Sequence, residues 1–318
     1  MERLVGRIAV TATVLALIVV GDPAQAVVPG ANGRILFARP TNLSFTQWDI
    51  VAADPNGANE TVLAGPYPTS AFDDHFIANW SPDGATAIFM ANQAIWQVNA
   101  DGSGLRQVFA APVGTGLDDG PTFTPDGAHI VFTRCCPTGY GYSLWMINVD
   151  GTGLKDVTKE PFVNGDGPAD TTPQVSPNGK KIVFNRCFPD APCVVATVSI
   201  SGGNLHELTD DTAFASEHPG WSPDSRTIVF QMQPLNGGAA NIATIRADGS
   251  SLTQLTFDAD RSGSFDPCFS PDGKRILFSH FPSTGWVDLY TMRRDGSGIR
   301  QVTKTGAPEL ASEWAVAT

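Results

Sequence analysis

Positive charge is scarce in this chain. Its 318 residues carry 20 Lys and Arg against 32 Asp and Glu, a formal net charge of −12. Phosphate backbones are held by clustered cations, so a nucleic-acid partner is excluded. Charge of either sign is thin, at 16% of residues where about a quarter is usual. With 42% hydrophobic residues, the chain is too apolar to remain disordered. Five cysteines are too few for a disulfide scaffold, and their spacing fits no zinc site. No stretch joins a sustained helical period to caps. G-x-S-x-G, H-E-x-x-H and the dinucleotide and phosphate-loop glycine patterns are all missing.

A membrane-spanning run is missing too. The uncharged stretch from Ile8 to Val20 is thirteen residues long, too short to cross about 30 Å of hydrocarbon as a helix. Arg3 and Arg7 precede it, Asp22 and Pro23 break it, and Ala24-Gln25-Ala26 supplies a small-x-small cleavage pattern. Residues 1–26 therefore read as a signal peptide and 27–318 as one domain. The expected location is secreted or periplasmic, where disulfides form. No membrane span is expected after cleavage.

What the chain has in plenty is turns. Gly and Pro number 32 and 24 with no Gly-X-Y period, which favours a turn-rich fold. Five segments share one pattern: Trp80-Ser-Pro-Asp-Gly84, Phe123-Thr-Pro-Asp-Gly127, Val175-Ser-Pro-Asn-Gly179, Trp221-Ser-Pro-Asp-Ser225 and Phe269-Ser-Pro-Asp-Gly273. Each precedes a β-branched or aromatic run such as Ile130-Val131-Phe132. A second turn, typified by Asp101-Gly-Ser-Gly104, recurs six times, its starts spaced 47, 49, 51, 47 and 47 residues apart. Proline presets φ in the first turn and glycine supplies positive φ in both. Each repeat reads as four strands, the unit of a β-propeller blade. Six hairpins but five Ser-Pro-Asp-Gly strands leave the first repeat one strand short. The missing strand is found in Ala311 to Val316, where Trp314 aligns with Trp80 and Trp221. The expected fold is thus all-β: a six-bladed β-propeller with four-stranded antiparallel blades, closed by the C-terminal strand completing blade one.

These motifs resemble the WD-like repeat of the TolB-type propellers, over residues 33–318. That resemblance implies an exported bacterial protein. TolB itself joins a cell-envelope complex with the peptidoglycan-associated lipoprotein and carries an α/β domain ahead of its propeller. Here the repeats begin within seven residues of the expected mature terminus, which leaves no room for that domain.

The two repeated turns share one end of the ring, and the loops that differ between copies share the other. Binding is expected at the variable end. Its inter-blade segments hold fifteen acids opposed by Lys159, Arg261 and Lys304. Asp73, Asp74, Asp118, Asp119, Asp166, Asp170, Glu217 and Asp266 are candidates for an acidic binding face, with His218 and the loop aromatics Tyr140, Tyr142 and Trp286. Asp258, Asp260 and Asp266 match positions 1, 3 and 9 of a calcium loop, but Phe269 stands at position 12, where the bidentate Glu of an EF-hand belongs. Calcium is the one cofactor this pattern suggests. Cys187 and Cys193 bracket a short loop and are expected to pair, with a bridge from Cys135 or Cys136 to Cys187 as the rival. Cys268, beside a core aromatic, reads as a buried free thiol.

The function expected is a non-catalytic scaffold, monomeric, that recognises a cationic protein or peptide on its acidic face. The alternative is a propeller enzyme, a polysaccharide lyase or hydrolase, with an acidic, metal-dependent channel mouth.

Overall fold

In the computed structural model, residues 29–317 are described apart from 43, 45, 69–77, 111–117, 136–141, 160–166, 211 and 260–261. The signal-peptide reading of 1–26 and the positions Asp73, Asp74, Cys136, Tyr140, Asp166 and Asp260 fall outside the described residues.

Among the described residues every regular element is a strand. The order begins with β1 (Asn32–Pro40), β2 (Gln47–Ala53), β3 (Thr61–Pro68), β4 (Ala78–Trp80), β5 (Thr86–Ala91), β6 (Ala94–Asn99) and β7 (Arg106–Ala110). It continues with β8 (Asp118–Phe123), β9 (His129–Cys135), β10 (Tyr142–Asn148), β11 (Lys155–Asp156), β12 (Ala169–Val175), β13 (Lys181–Phe188), β14 (Ala191–Ser199) and β15 (His206–Glu207). The last nine are β16 (Phe214–Trp221), β17 (Thr227–Pro234), β18 (Asn241–Arg246), β19 (Thr253–Gln254), β20 (Gly263–Phe269), β21 (Arg275–Phe281), β22 (Asp288–Arg293), β23 (Arg300–Gln301) and β24 (Leu310–Val316).

Hydrogen bonding sorts these strands into a propeller of four separate four-stranded sheets and one eight-stranded sheet. The expectation of six separate blades is corrected here: four blades stand alone. Strands β8 to β15 form the double sheet because Tyr142 on β10 pairs in parallel with Ala169 on β12. That one contact joins two antiparallel sets of four. The first strand of each set touches the next in a closed cycle, β4, β8, β12, β16, β20, β24 and back to β4.

Closure takes the expected form. Strand β24 pairs antiparallel with β1, Trp314 opposite Ile35, and Trp314 Nε1 donates to Gly33 O at 3.0 Å. Strand pairing there covers edges that would otherwise template aggregation.

The repeat explains the core. Phe37, Phe89, Phe132, Phe184, Phe230 and Phe278, one per repeat on the second strand, are all buried. They pack against first-strand residues of the Trp80, Trp221 and Trp314 kind in clusters between sheets. Each fully buried aromatic contributes about 1.5–3 kcal/mol through removal of apolar surface from water. The Ser-Pro-Asp-Gly turn fixes itself: Ser81 Oγ donates to Asp83 Oδ1 at 2.6 Å and accepts from Thr86 N at 2.9 Å. Gly84 adopts φ 69° there, which a side chain would strain.

Candidate functional site

Four of the first strands, β8, β12, β16 and β20, carry a feature beyond the turn motif. Gly120, Thr172, His218 and Asp266 each stand immediately before a proline and adopt positive φ, between 50° and 57°. The ladder slips at each place, between Asp119 and Thr122, Thr171 and Gln174, Glu217 and Gly220, and Phe265 and Cys268. These are bulges, devices that re-aim side chains. Left-handed φ is cheap for Gly120 but costs about 1–3 kcal/mol for each of the other three. Thr172, His218 and Asp266 are nevertheless buried.

The bulges bring two of the expected site residues together. His218 Nδ1 lies 2.6 Å from Asp266 Oδ1, bridging neighbouring repeats inside the ring. Glu217 points elsewhere and accepts from Gln231 Nε2 at 3.1 Å.

A second set of pairs occupies the start of the first strand and the end of the second. Arg186 Nη1 donates to both oxygens of Asp170, at 3.1 and 3.2 Å, and both residues are buried. The same register places Asp118 opposite Arg134 on β8 and β9. Arg134 also lies over the rings of Phe109 and Trp145, at 5.5 and 5.3 Å. In the first repeat Arg39 Nε donates to Glu309 Oε1 at 2.7 Å, and its Nη atoms donate to both Glu60 oxygens at 2.7 Å. Burial raises the Glu309 carboxyl above its usual range, opposed by hydrogen bonds and by the Arg39 charge.

Arginines from β1 and β13 therefore hold acids that a count of loop residues leaves unopposed. Asp170, Asp266, Glu309 and Glu313 are buried rather than displayed. Asp119 lies on β8 opposite Thr133, and Tyr142 is partly buried at the start of β10. Trp286, 42% exposed between β21 and β22, stands at the surface.

Of the calcium candidates, Asp258 and Asp266 lie among the described residues and take different partners. Asp258 accepts from Ser264 Oγ at 2.6 Å, whereas Asp266 is engaged with His218. Among the described residues no group of three His, Cys, Asp or Glu is placed to hold a metal ion. Cys187 and Cys193 are joined by a disulfide at the β13–β14 hairpin, and Cys268 is a buried free thiol. Burial, then the nearby Glu313, pushes the Cys268 thiol well up.

The opposite end of the ring holds a cleft of about 570 Å³ lined by the repeated turns and the closing strand, among them Arg34, Asp54, Asn99 and Val316. Arg34 spans it with bonds to Ala52 O, Asn59 O and Ala100 O. These bonds tie the first two repeats together and leave the guanidinium committed to structure.

Known proteins share this architecture. A family model described as TolB beta propeller domain matches residues 67–265. The Tol-Pal system protein TolB of Anaeromyxobacter dehalogenans is 30% identical over 121 residues, 38% of this chain and 26% of that protein. The chain thus aligns with about a quarter of that relative's length. The crystal structure of TolB from Acinetobacter baumannii superposes with a TM-score of 0.71 at 18% identity, covering 91% of this chain and 68% of that one. An oligogalacturonate lyase from Vibrio parahaemolyticus has the same fold at 11% identity, TM-score 0.56, covering 90% of this chain and 79% of that one. No helix among the described residues is long and apolar enough to cross a membrane.

Proposed function

We propose, for a chain that belongs to the TolB beta propeller domain family, that it is an exported binding scaffold acting in the periplasm. Its four-stranded sets number six when the eight-stranded sheet is counted as two adjoining blades. The partner is a protein or peptide carrying cations, bound at the end where the inter-blade loops lie.

One observation carries this reading. The turn end repeats the same hydroxyl–carboxylate geometry in copy after copy, as at Asp83, Asp126 and Asp224. At the loop end the equivalent positions differ, Asp170 with Arg186 in one repeat and Ser264 with His280 in another. Varied chemistry on a uniform scaffold is the arrangement of a recognition surface. A net charge of −12 favours a cationic partner and fast association at low salt. A Tol-Pal type role is the specific form that the relatives' names suggest.

A second reading rests on the buried His218–Asp266 pair. Strained, hydrogen-bonded titratable groups recur at catalytic centres, and a lyase shares the fold. Capture from an envelope extract separates the two. A stoichiometric partner released by salt supports the scaffold. Turnover of an acidic polysaccharide that His218→Gln abolishes supports the enzyme.

A further inference from the structure

The turn end is built alike from repeat to repeat but is not charged alike. In repeats two to six, one backbone hydrogen bond of 2.9–3.2 Å joins the residue just after the third strand to the residue just after the first turn. The joined pair is Ala100 with Ala85 in the second repeat and Val149 with Ala128 in the third. It becomes Ile200 with Lys180, Ala247 with Arg226 and, in the sixth, Arg294 with Lys274. Alanine satisfies the fold at this place, so the cations are an addition to it. Over both turns and their flanking residues (81–86 with 99–104 in the second repeat, and equivalents), repeats two and three hold four acids and no Lys or Arg. Repeats four to six hold eight Lys and Arg against four acids.

These cations form one continuous sector. Asn178 N, two residues before Lys180, donates to Ser225 Oγ, beside Arg226, at 3.1 Å. Arg294 reaches back from the sixth repeat to the fifth, donating to Thr227 Oγ1 at 2.7 Å and lying 3.6 Å from Asp224. Thr227 stands opposite Arg246 across β17 and β18. The four acids are committed to their own turns: Asp224, Asp248, Asp272 and Asp295 each accept the hydroxyl of the turn's serine. Arg246 and Lys274 keep 56% and 81% of their side-chain surface in solvent, at 3.7 and 3.6 Å from Asp248 and Asp272. Such exposed ion pairs contribute little to stability. Arg275 stands directly opposite Arg293 on β21 and β22, a like-charge pair that destabilises a sheet. A local rule broken without structural gain is expected at a functional surface.

Each of the three repeats adds an apolar side chain. Leu205, Leu252 and Ile299 stand between the second turn and the short strands β15, β19 and β23, and are 44%, 46% and 52% exposed. Thr253 pairs with Thr244 and Arg300 with Thr291, so Leu252 and Ile299 sit one residue nearer the turn, toward Arg246 and Arg293. Leu105 and Leu154 continue this exposed rim into the second and third repeats. A soluble polyanion gains nothing from aliphatic side chains. An anionic bilayer uses both, because its headgroups attract Lys and Arg while its acyl boundary takes up apolar side chains.

We propose that the turn end of repeats four to six docks the protein on an anionic lipid bilayer. The rest of this acidic chain is repelled by such a surface, which orients the docking: the cations face the headgroups and the loop end faces away. The inference goes beyond the partner reading and is independent of it, since the two surfaces lie at opposite ends of the ring.

The experiment is flotation of the full chain with vesicles of one part phosphatidylglycerol to two parts phosphatidylcholine, against phosphatidylcholine alone. The expected result is saturable binding to the anionic vesicles, at least about tenfold stronger than to the neutral ones and released by salt. Arg226→Ala with Arg246→Ala and Lys274→Ala weakens it at least about tenfold. Leu252→Ser with Ile299→Ser weakens it several-fold. Lys159→Ala with Lys304→Ala, at the loop end, leaves it unchanged. Arg226→Lys with Arg246→Lys retains binding, which separates lost charge from lost fold, and melting curves check that every variant is folded. Absence of binding to anionic vesicles overturns the proposal, as does binding indifferent to lipid charge or to the triple alanine variant. Loss with the triple variant but not with the two serines also overturns it, because that is the behaviour of a polyanion site.

Discussion

Gln174 and Glu313 stand at equivalent places in two repeats, and each side chain accepts the backbone N–H of the tryptophan on the neighbouring repeat, Trp221 and Trp80 respectively. A neutral amide does this in one case and a carboxyl in the other. Burial pushes the Glu313 carboxyl well above its usual value, the Trp80 N–H opposing. A carboxyl raised in the folded state stabilises at low pH, and that contribution disappears as pH rises from about 4.5 through the folded value. Glu313→Gln should therefore match the wild type in acid. At pH 7, where the raised carboxyl no longer contributes, it should exceed it in stability. Urea unfolding at the two pH values checks this.

The same strand closes the ring. Trp314 is buried between β1 and the last repeat. Trp314→Ala should cost about 3–5 kcal/mol. Deleting residues 311–318 should lower the melting temperature further and expose an edge that aggregates. Melting curves and light scattering report both. An unchanged melting temperature would mean that the β24–β1 seam does not hold the ring.

The repeated turns set the acid limit. A hydroxyl hydrogen bond holds the carboxyls of Asp83, Asp101, Asp126 and Asp150 below their usual value, with Ser81, Ser103, Thr124 and Thr152 as donors. A depressed carboxyl stabilises above its unfolded pKa and loses that contribution as pH falls through the folded one. Alanine at the four donors should flatten the loss of stability below about pH 4. Unfolding free energies measured across that range test it. Parallel curves for variant and wild type would contradict it.

The Cys187–Cys193 bridge closes a short loop at the β13–β14 hairpin. Replacing both with serine should lower stability by up to about 2.4 kcal/mol, the chain-entropy worth of closing seven residues. The effect should vanish when both proteins are compared under reducing conditions.

The strands and turns were legible because proline and glycine mark each repeat locally. The closure was legible from one missing copy, and the 187–193 pairing from its short loop. The first-strand bulge also lay open in Gly120-Pro121, Thr172-Pro173, His218-Pro219 and Asp266-Pro267, but the aligned motif began after it. The charge balance of the variable end was not legible from the loops. Asp170 is sixteen residues from Arg186, and Glu309 is 270 residues from Arg39. Only strand register and ring closure bring those pairs together. Nor does the sequence mark the fusion of two sheets at Tyr142 and Ala169, which depends on how closely two first-class antiparallel units approach.

The central claim is that the variable end binds a cationic protein. Its most direct measurement is the association rate of the captured partner as salt is raised, for the wild type and for Asp258→Asn with Trp286→Ala. At physiological ionic strength the screening length is about 8 Å, so a steered encounter must slow steeply with salt. The account predicts that slope in the wild type, with weaker binding and a shallower slope in the variant. A rate indifferent to both salt and the substitutions would contradict it, leaving the acidity as a surface property unrelated to recognition.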